Sequence, residues 1–410
     1  MAPDGIGQDR ILTLFSHSLG GECAFPIWVA AIAFAGERTF TFGARRMLRF
    51  YQVSKHLAAE VFPRRRAPII DKGEAVPINL LCRAAGLIAV ASCLALGPWA
   101  GSAHSETVWD MYVTNAVATT ITAKGEVAMI ERIEKETDGE LKIKFHLAGS
   151  LPINVTNITS AVADGVVQIG DDGFFQGNVP IGGLLRLPML VQNRDEYDKA
   201  LKIALPYLQA GFAKKGELVL GEFTYPPQVA FSRRKLTALS EIKGQKLRVT
   251  SPEQGEFVRH FGGTSVTLGA AEVPAALDRG VIEGVFTAAS GAGYTWRDLI
   301  KYNYKLGLNF FDAYIIVNKD AFDKLSPDVQ QKLRAIIGEI VPGFTGKMQQ
   351  EDDDLTHKMV AENGLVLTEP KPEEIAEATK GIEPYWNGWA KAHGPDAVEA
   401  LGKIRAALGR

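Results

Sequence analysis

The stretch GQKLRVTSPEQGEF, residues 244–257, sets a guanidinium inside an apolar alternation. Leu247 and Val249 face one side of a strand, and Lys246, Arg248 and Thr250 face the other. The alternation alone leaves two readings of Arg248, a solvated face or a site. The next residues favour a site. Ser251 stands as an N-cap, Pro252 at the first helical position, and Gln254 as the closing member of a capping box. A helix N-terminus presents free N–H groups and partial positive charge. Arg248 adds a full charge with a planar, two-pronged donor face. Together they predict a small-anion site, Ser251 included, at the carboxyl end of an α/β strand.

Other reactive side chains are read as structural. His146 ends a strand and His260 sits in a helix beside Phe261, neither with a sequence-near partner. The acidic run EDDDL (351–355) lies on a predicted helix, whose consecutive residues splay around the axis and do not converge on one ion, so it reads as a solvated face. No cofactor or metal site is expected. Among Phe174, Phe175, Phe286, Phe310 and Phe311, two are expected to line a pocket and three to fill the core. The near-neutral charge, formally −2, gives no hint of a nucleic-acid partner. A secreted α/β enzyme acting on a carboxylate is the competing class, but no G-x-S-x-G nucleophile elbow follows residue 106. A periplasmic ligand-sensing module is a third reading.

The elements that must position Arg248 begin after an export signal. Arg83, the apolar run Ala84–Ala100 and the small residues Gly101-Ser102-Ala103 have the layout of a secretory leader. The run is short for a membrane span, which needs about 20 apolar residues. Residues 76–105 are therefore read as a signal peptide and 1–75 as a mis-called N-terminal extension, which gives a periplasmic mature chain. The three cysteines, Cys23, Cys82 and Cys93, all precede it.

From residue 106 onward helix alternates with strand, the mark of a mostly parallel α/β sheet. VWDMYVT (108–114) and LKIKFH (141–146) read as strands. Between them a helix over 123–139 carries Val127, Ile130 and Ile133 on one face and stops at Gly139. AVADGVVQIGDDGFF (161–175) echoes AALDRGVIEGVFTAAS (275–290): each runs from a helix through a glycine into a short strand, with Gln168 or Glu283 at the same offset. The echo predicts two lobes of similar design that send strand ends to a shared cleft. Residues 325–363 read as one very long helix, capped by Ser326 and kinked at Pro342. About 38 residues would run roughly 57 Å, enough to cross both lobes.

The segments LAGSL (147–151), ADGVVQIG (163–170), LRLPML (185–190), ALSEIKGQKLRVTSP (238–252) and EVPAALDRGVIEGV (272–285) resemble, in order and spacing, the periplasmic substrate-binding protein of a TRAP (tripartite ATP-independent periplasmic) transporter. The resemblance implies a two-lobed, periplasmic-binding-protein-like α/β fold with hinge strands and a long helix spanning both lobes. The lobes are expected at 106–227 with 314–352, and at 228–313 with 353–410. It implies uptake of an organic acid held in the interlobe cleft and delivered to the membrane subunits. It also implies that Arg248 pairs with the substrate carboxylate. Asn115, Asp172, Ser251 and Thr287 are carried over as ligand contacts, and Gln228 stands where some members have a second arginine. Ala270, Ala271 and Pro274 replace bulkier residues. With Phe174, Phe286 and Phe311 as apolar lining, these departures point to a monocarboxylate with a bulky or aromatic body, such as an aryl or branched 2-hydroxy or 2-oxo acid.

Overall fold

The computed structural model describes residues 106–410; the expected extension (1–75) and leader (76–105) lie outside the described residues. The chain opens with β1 (Thr107–Val113), α1 (Ile121–Glu136), β2 (Leu141–His146), α2 (Ile158–Ala163) and β3 (Ile169–Asp172). β1 lies between β2 and β3 and runs parallel to both. Thr120 caps α1 by accepting from the N–H of Ala123, and the left-handed Asp138 and Gly139 carry the chain away from its far end. The buried face of α1 differs from the expected one. It carries Thr122, Glu126, Met129, Ile130 and Ile133, while Val127 is 38% exposed. A carboxyl side chain, Glu126, inside the apolar stripe displaced the reading by one residue.

Helix α3 (Arg194–Ala213) and β4 (Glu217–Tyr225) follow. The chain then crosses to a second sheet built from β5 (Val229–Ser232), β6 (Lys246–Val249), β7 (Thr264–Thr267), β8 (Gly284–Thr287) and β9 (Tyr302–Tyr304). Helix α4 (Pro252–His260) joins β6 to β7, and α5 (Val273–Asp278) precedes β8. β6 lies between β7 and β8, parallel to both, as β1 does in the first sheet. The sequence echo is therefore structural. The Gln168 N–H donates to the Asp110 carbonyl at 3.1 Å, and its side-chain oxygen accepts from the Asp110 N–H at 2.8 Å. Glu283 bonds to the Lys246 carbonyl and its carboxylate accepts from the Lys246 N–H at 2.9 Å. One side chain per lobe thus ties its strand to the central parallel strand.

The chain returns with β10 (Phe311–Asn318), antiparallel between β3 and β4. After α6 (Lys319–Asp323) the long helical segment forms α7 (Pro327–Ile340) and α8 (Pro342–Asn363), broken at Val341. Pro342 lacks the backbone donor that would continue the helix. Phe344 and Met348 on α8 pack in the larger hydrophobic core, and Met359 in the core beneath the second sheet, so α8 spans both. β11 (Val366–Thr368) edges the second sheet beside β9. Helix α9 (Pro372–Ala392) bonds to both halves, with Trp386 Nε1 to the Pro188 carbonyl and Trp389 Nε1 to Glu253 on α4. The last helix, α10 (Pro395–Leu408), packs on α3, so the chain end lies on the first lobe where the sequence had placed 353–410 in the second. Its apolar face of Ala397, Ala400, Leu401 and Ile404 finds cover there. Among the described residues no helix is long and apolar enough to cross a membrane.

Candidate functional site

A cavity of about 360 Å³ opens where the strand ends of the two sheets meet. Thr114 and Asn115 follow β1, Phe174 follows β3, Tyr225 ends β4, Arg248 and Thr250 lie on and after β6, and Thr287 ends β8. Both sheets thus offer the carboxyl ends of parallel strands on either side of the strand-order reversal, the usual ligand position in open α/β sheets.

Arg248 is 4% exposed. Its Nε donates to the Leu268 carbonyl at 2.8 Å and one Nη to the Phe286 carbonyl at 3.1 Å. These two bonds aim the fork and leave three of its five N–H groups without a protein acceptor. Its charge centre sits 5.9 Å from the Phe174 ring and 5.8 Å from the Trp296 ring. Burial lowers its pKa to about 9, with Glu272 opposing the shift at longer range. A desolvated cation with unused donors and no carboxylate partner among the described residues is built to receive an anion.

Asn115 is held in place, donating to Thr122 Oγ1 at 2.9 Å and accepting from Thr120 Oγ1 at 3.1 Å. The Tyr225 hydroxyl joins the same Thr122 at 3.3 Å. Gln228 gives one of its two amide N–H groups to the Pro226 carbonyl at 3.0 Å, and its side-chain oxygen stays available as an acceptor. Phe311 meets Phe174 edge-on at 5.6 Å and Tyr225 at 5.2 Å, giving an aromatic wall. Gly173 makes room for it, since a Cβ there would lie 2.3 Å from the Phe311 ring.

Of the nine residues singled out in the sequence, Asn115, Phe174, Gln228, Arg248, Thr287 and Phe311 line this cavity. Three do not. Asp172 turns inward, accepting from Thr159 Oγ1 at 2.5 Å and from the Phe174 N–H at 2.8 Å, so it shapes the turn that presents Phe174. Ser251 is fully buried and accepts from the Gln254 N–H within its own helix cap. Phe286 is core, and only its carbonyl reaches the site, through Arg248. Gln254 does not close the expected box: its oxygen accepts from Thr250 N–H at 2.7 Å and Thr250 Oγ1 at 3.0 Å, one residue further back. Thr250, rather than Ser251, therefore reaches the cavity. The sequence reading also passed over Thr114, Tyr225, Thr295 and Trp296. Of these, only Trp296 carried a signal, an indole just past the echo segment.

Two other buried or basic groups are accounted for. Arg186, from the LRLPML block, is ion-paired with Asp312 and stacks 4.2 Å from the Phe311 ring. Arg233 and Arg234 turn away, toward the Leu277 carbonyl and Glu283. Arg248 is the one charged side chain lining the cavity among the described residues. No cluster of three or more His, Cys, Asp or Glu with metal-holding geometry occurs among them. His146 has a partner that the sequence did not show, Asp110 at 2.7 Å across β1 and β2.

Residues 112–392 match the family described as bacterial extracellular solute-binding protein, family 7. The chain is 26% identical over 299 residues to the ectoine/5-hydroxyectoine-binding periplasmic protein UehA of Ruegeria pomeroyi, covering 69% of this chain and 86% of that one. It is 26% identical over 260 residues to the 2,3-diketo-L-gulonate-binding periplasmic protein YiaO of Escherichia coli, covering 60% and 76%. Among solved structures it is similar to a Bordetella pertussis extracytoplasmic solute receptor binding pyroglutamic acid, with a TM-score of 0.68 and 26% identity over 73% of this chain and 100% of that one. A Ralstonia eutropha TRAP periplasmic solute-binding protein with bound (S)-2-acetolactate shares the fold at a TM-score of 0.67 and 20% identity, covering 73% and 99%. The chain belongs to family 7 of the bacterial extracellular solute-binding proteins.

Proposed function

We propose that the protein is exported, captures a monocarboxylate in the cavity between its two sheets, and hands it to the membrane subunits of its transporter. The observation that carries the ligand class is the charge of the cavity wall. Arg248 faces it, and no other cation and no acid of the described residues lines it. One carboxylate satisfies the unused N–H groups of Arg248. A second would enter a buried site without a partner, which is costly.

The remaining wall defines the body of the ligand. Phe174, Phe311, Tyr225 and Trp296 supply apolar surface, and Ala270, Ala271 and Pro274 keep the opposite side open. The Gln228 oxygen, Asn115, Thr250 and Thr287 offer uncharged hydrogen-bonding groups. A branched or cyclic 2-hydroxy, 2-oxo or 2-amido acid fits this balance. The pyroglutamic acid and acetolactate named for the solved relatives carry one carboxyl each, which supports the reading.

A thermal-shift screen tests it, because a ligand that binds only the folded chain raises its melting temperature. Pyroglutamate, 2-oxoisovalerate, phenyllactate, succinate and malate form the panel. At least one of the first three should stabilise the protein and come back chemically unchanged, with succinate and malate silent. Stabilisation by succinate or malate alone would overturn the ligand class.

A further inference from the structure

Two of the segments that cross between the sheets, 226–228 and 305–310, bond to each other. The Gln228 N–H donates to the Asn309 carbonyl at 2.7 Å, and the Leu308 N–H donates to the Gln228 carbonyl at 2.8 Å. Asn309 is fully buried in this crossing. Its side-chain oxygen accepts from Gln254 Nε2 at 2.8 Å, and its Nδ2 donates to the Arg186 carbonyl at 2.6 Å.

Gln254 therefore works with both ends. Its oxygen holds Thr250 of the cavity wall, and its nitrogen holds Asn309 of the crossing. From Asn309 the path continues to Arg186, which stacks on Phe311 of the opposite cavity wall. The nearby charged groups are committed elsewhere, Arg186 to Asp312 and Glu253 to Trp389 Nε1. Arg186 Nη1 and Glu253 Oε2 keep no partner among the described residues, but the linking amides of Gln254 and Asn309 are bonded at both their oxygen and their nitrogen, and such a buried polar chain fixes a unique arrangement of the parts it joins.

We propose that Gln254 is a positioning residue that locks the β6–α4 wall of the cleft to the hinge at Asn309, so that ligand affinity depends on it although it does not line the cavity. This rests on the cavity being the ligand site.

Gln254→Glu tests it by changing one group. The new side chain keeps an oxygen for Thr250 but, when ionised, has no proton for Asn309. Hydrogen exchange of the ligand-free protein reads the hinge amides at 305–310, and calorimetry reads affinity for pyroglutamate and 2-oxoisovalerate. At pH 8 the variant should exchange at the hinge at least about tenfold faster than wild type and bind about tenfold more weakly. At pH 5 the protonated carboxyl donates again, and both ratios should return to within about threefold of unity. Asn309→Leu, which cuts the same link without a buried acid, should show the pH 8 behaviour at both pH values, and it carries the test if the Glu variant does not fold at pH 8. Hinge exchange within threefold of wild type in both variants would overturn the proposal. If neither acid binds wild type, the ligand reading fails separately, and hinge exchange still decides the role of Gln254.

Discussion

Glu126 of α1 and Asp171 of β3 face each other inside the first lobe, both fully buried. Asp171 Oδ2 accepts from Thr114 Oγ1 at 2.8 Å, one residue from the cavity contact Asn115. Neither Glu126 oxygen has a donor among the described residues, so the carboxyl proton of Glu126 itself is the donor that lets the two acids meet. Burial raises both groups, Asp171 to about 7 and Glu126 well above the usual range.

The sign of the pH dependence follows. Asp171 binds its proton more tightly folded than unfolded, so its stabilising contribution is complete below about pH 4 and is lost as pH rises to about 7. A rise from 3.8 to about 7 corresponds to at most about 4 kcal/mol for a single group. Asp172, raised to about 6, adds to the same slope. Asp171→Asn should therefore melt higher than wild type at pH 8, keep less than half of that advantage at pH 5, and lose it below about pH 4. An equal difference at both pH values would mean that Asp171 is already ionised in the folded state.

How far the sequence disclosed this depends on what each residue's neighbours are. The parallel order around β1 and β6 was legible because Gln168 and Glu283 recur at one offset from a helix-stop glycine. The break at Pro342 was legible because a missing N–H acts locally. Arg248 was legible from its place at a strand end before a cap. Glu126 was not, since a glutamate on a helix reads as solvent-facing until Asp171 arrives from a distant strand. Ser251 and Asp172 were placed in the site by position, but their side chains are spent on their own turns. Trp296 and Tyr225 reach the cavity only through the tertiary fold.

Asp352 illustrates the same limit. Within EDDDL the residues Asp353 and Asp354 are exposed, as a solvated face requires, but Asp352 is buried. Its Oδ1 accepts from the Ser290 N–H at 2.8 Å and from Ser290 Oγ at 3.0 Å. Seven residues earlier on α8, Thr345 Oγ1 accepts from the Thr224 N–H at 2.9 Å. One face of the spanning helix thus holds both the end of β4 and the loop that supplies Gly291 and Ala292 to the cavity. Asp352→Ala leaves a buried N–H unpaired and should cost about 1–3 kcal/mol of unfolding free energy. Asp352→Asn keeps an acceptor and should recover most of it. Chemical denaturation of the two variants checks this. Equal losses would show that the charge of Asp352, rather than its hydrogen bonds, matters.

Arg248→Met should move stability and affinity in opposite directions. The ligand-free protein carries a desolvated cation without a counter-charge, so methionine of similar bulk should raise its melting temperature. The bound carboxylate loses its partner, which costs on the order of 2–5 kcal/mol, or at least about 30-fold in affinity. Calorimetry and thermal melts on one preparation read both. Affinity within threefold of wild type in a folded variant would place the carboxylate elsewhere.

Gln228→Arg should widen the ligand class. Gln228 lines the cavity beside the crossing segments, and its backbone is fixed there by the Asn309 and Leu308 bonds. The substitution therefore introduces a second guanidinium without moving the crossing segment that carries it. In the free protein that charge is buried and unpaired, so the melting temperature should fall. A dicarboxylate then neutralises both cations, one carboxylate on Arg248 and one on the new group. Succinate, silent on the wild type, should raise the melting temperature of the variant, and pyroglutamate should stabilise it less than it stabilises wild type. The comparison separates charge count from cavity size, because arginine is larger than glutamine and takes up space. If size governs selection, the variant loses pyroglutamate and gains nothing; if the single cation governs it, the variant gains succinate.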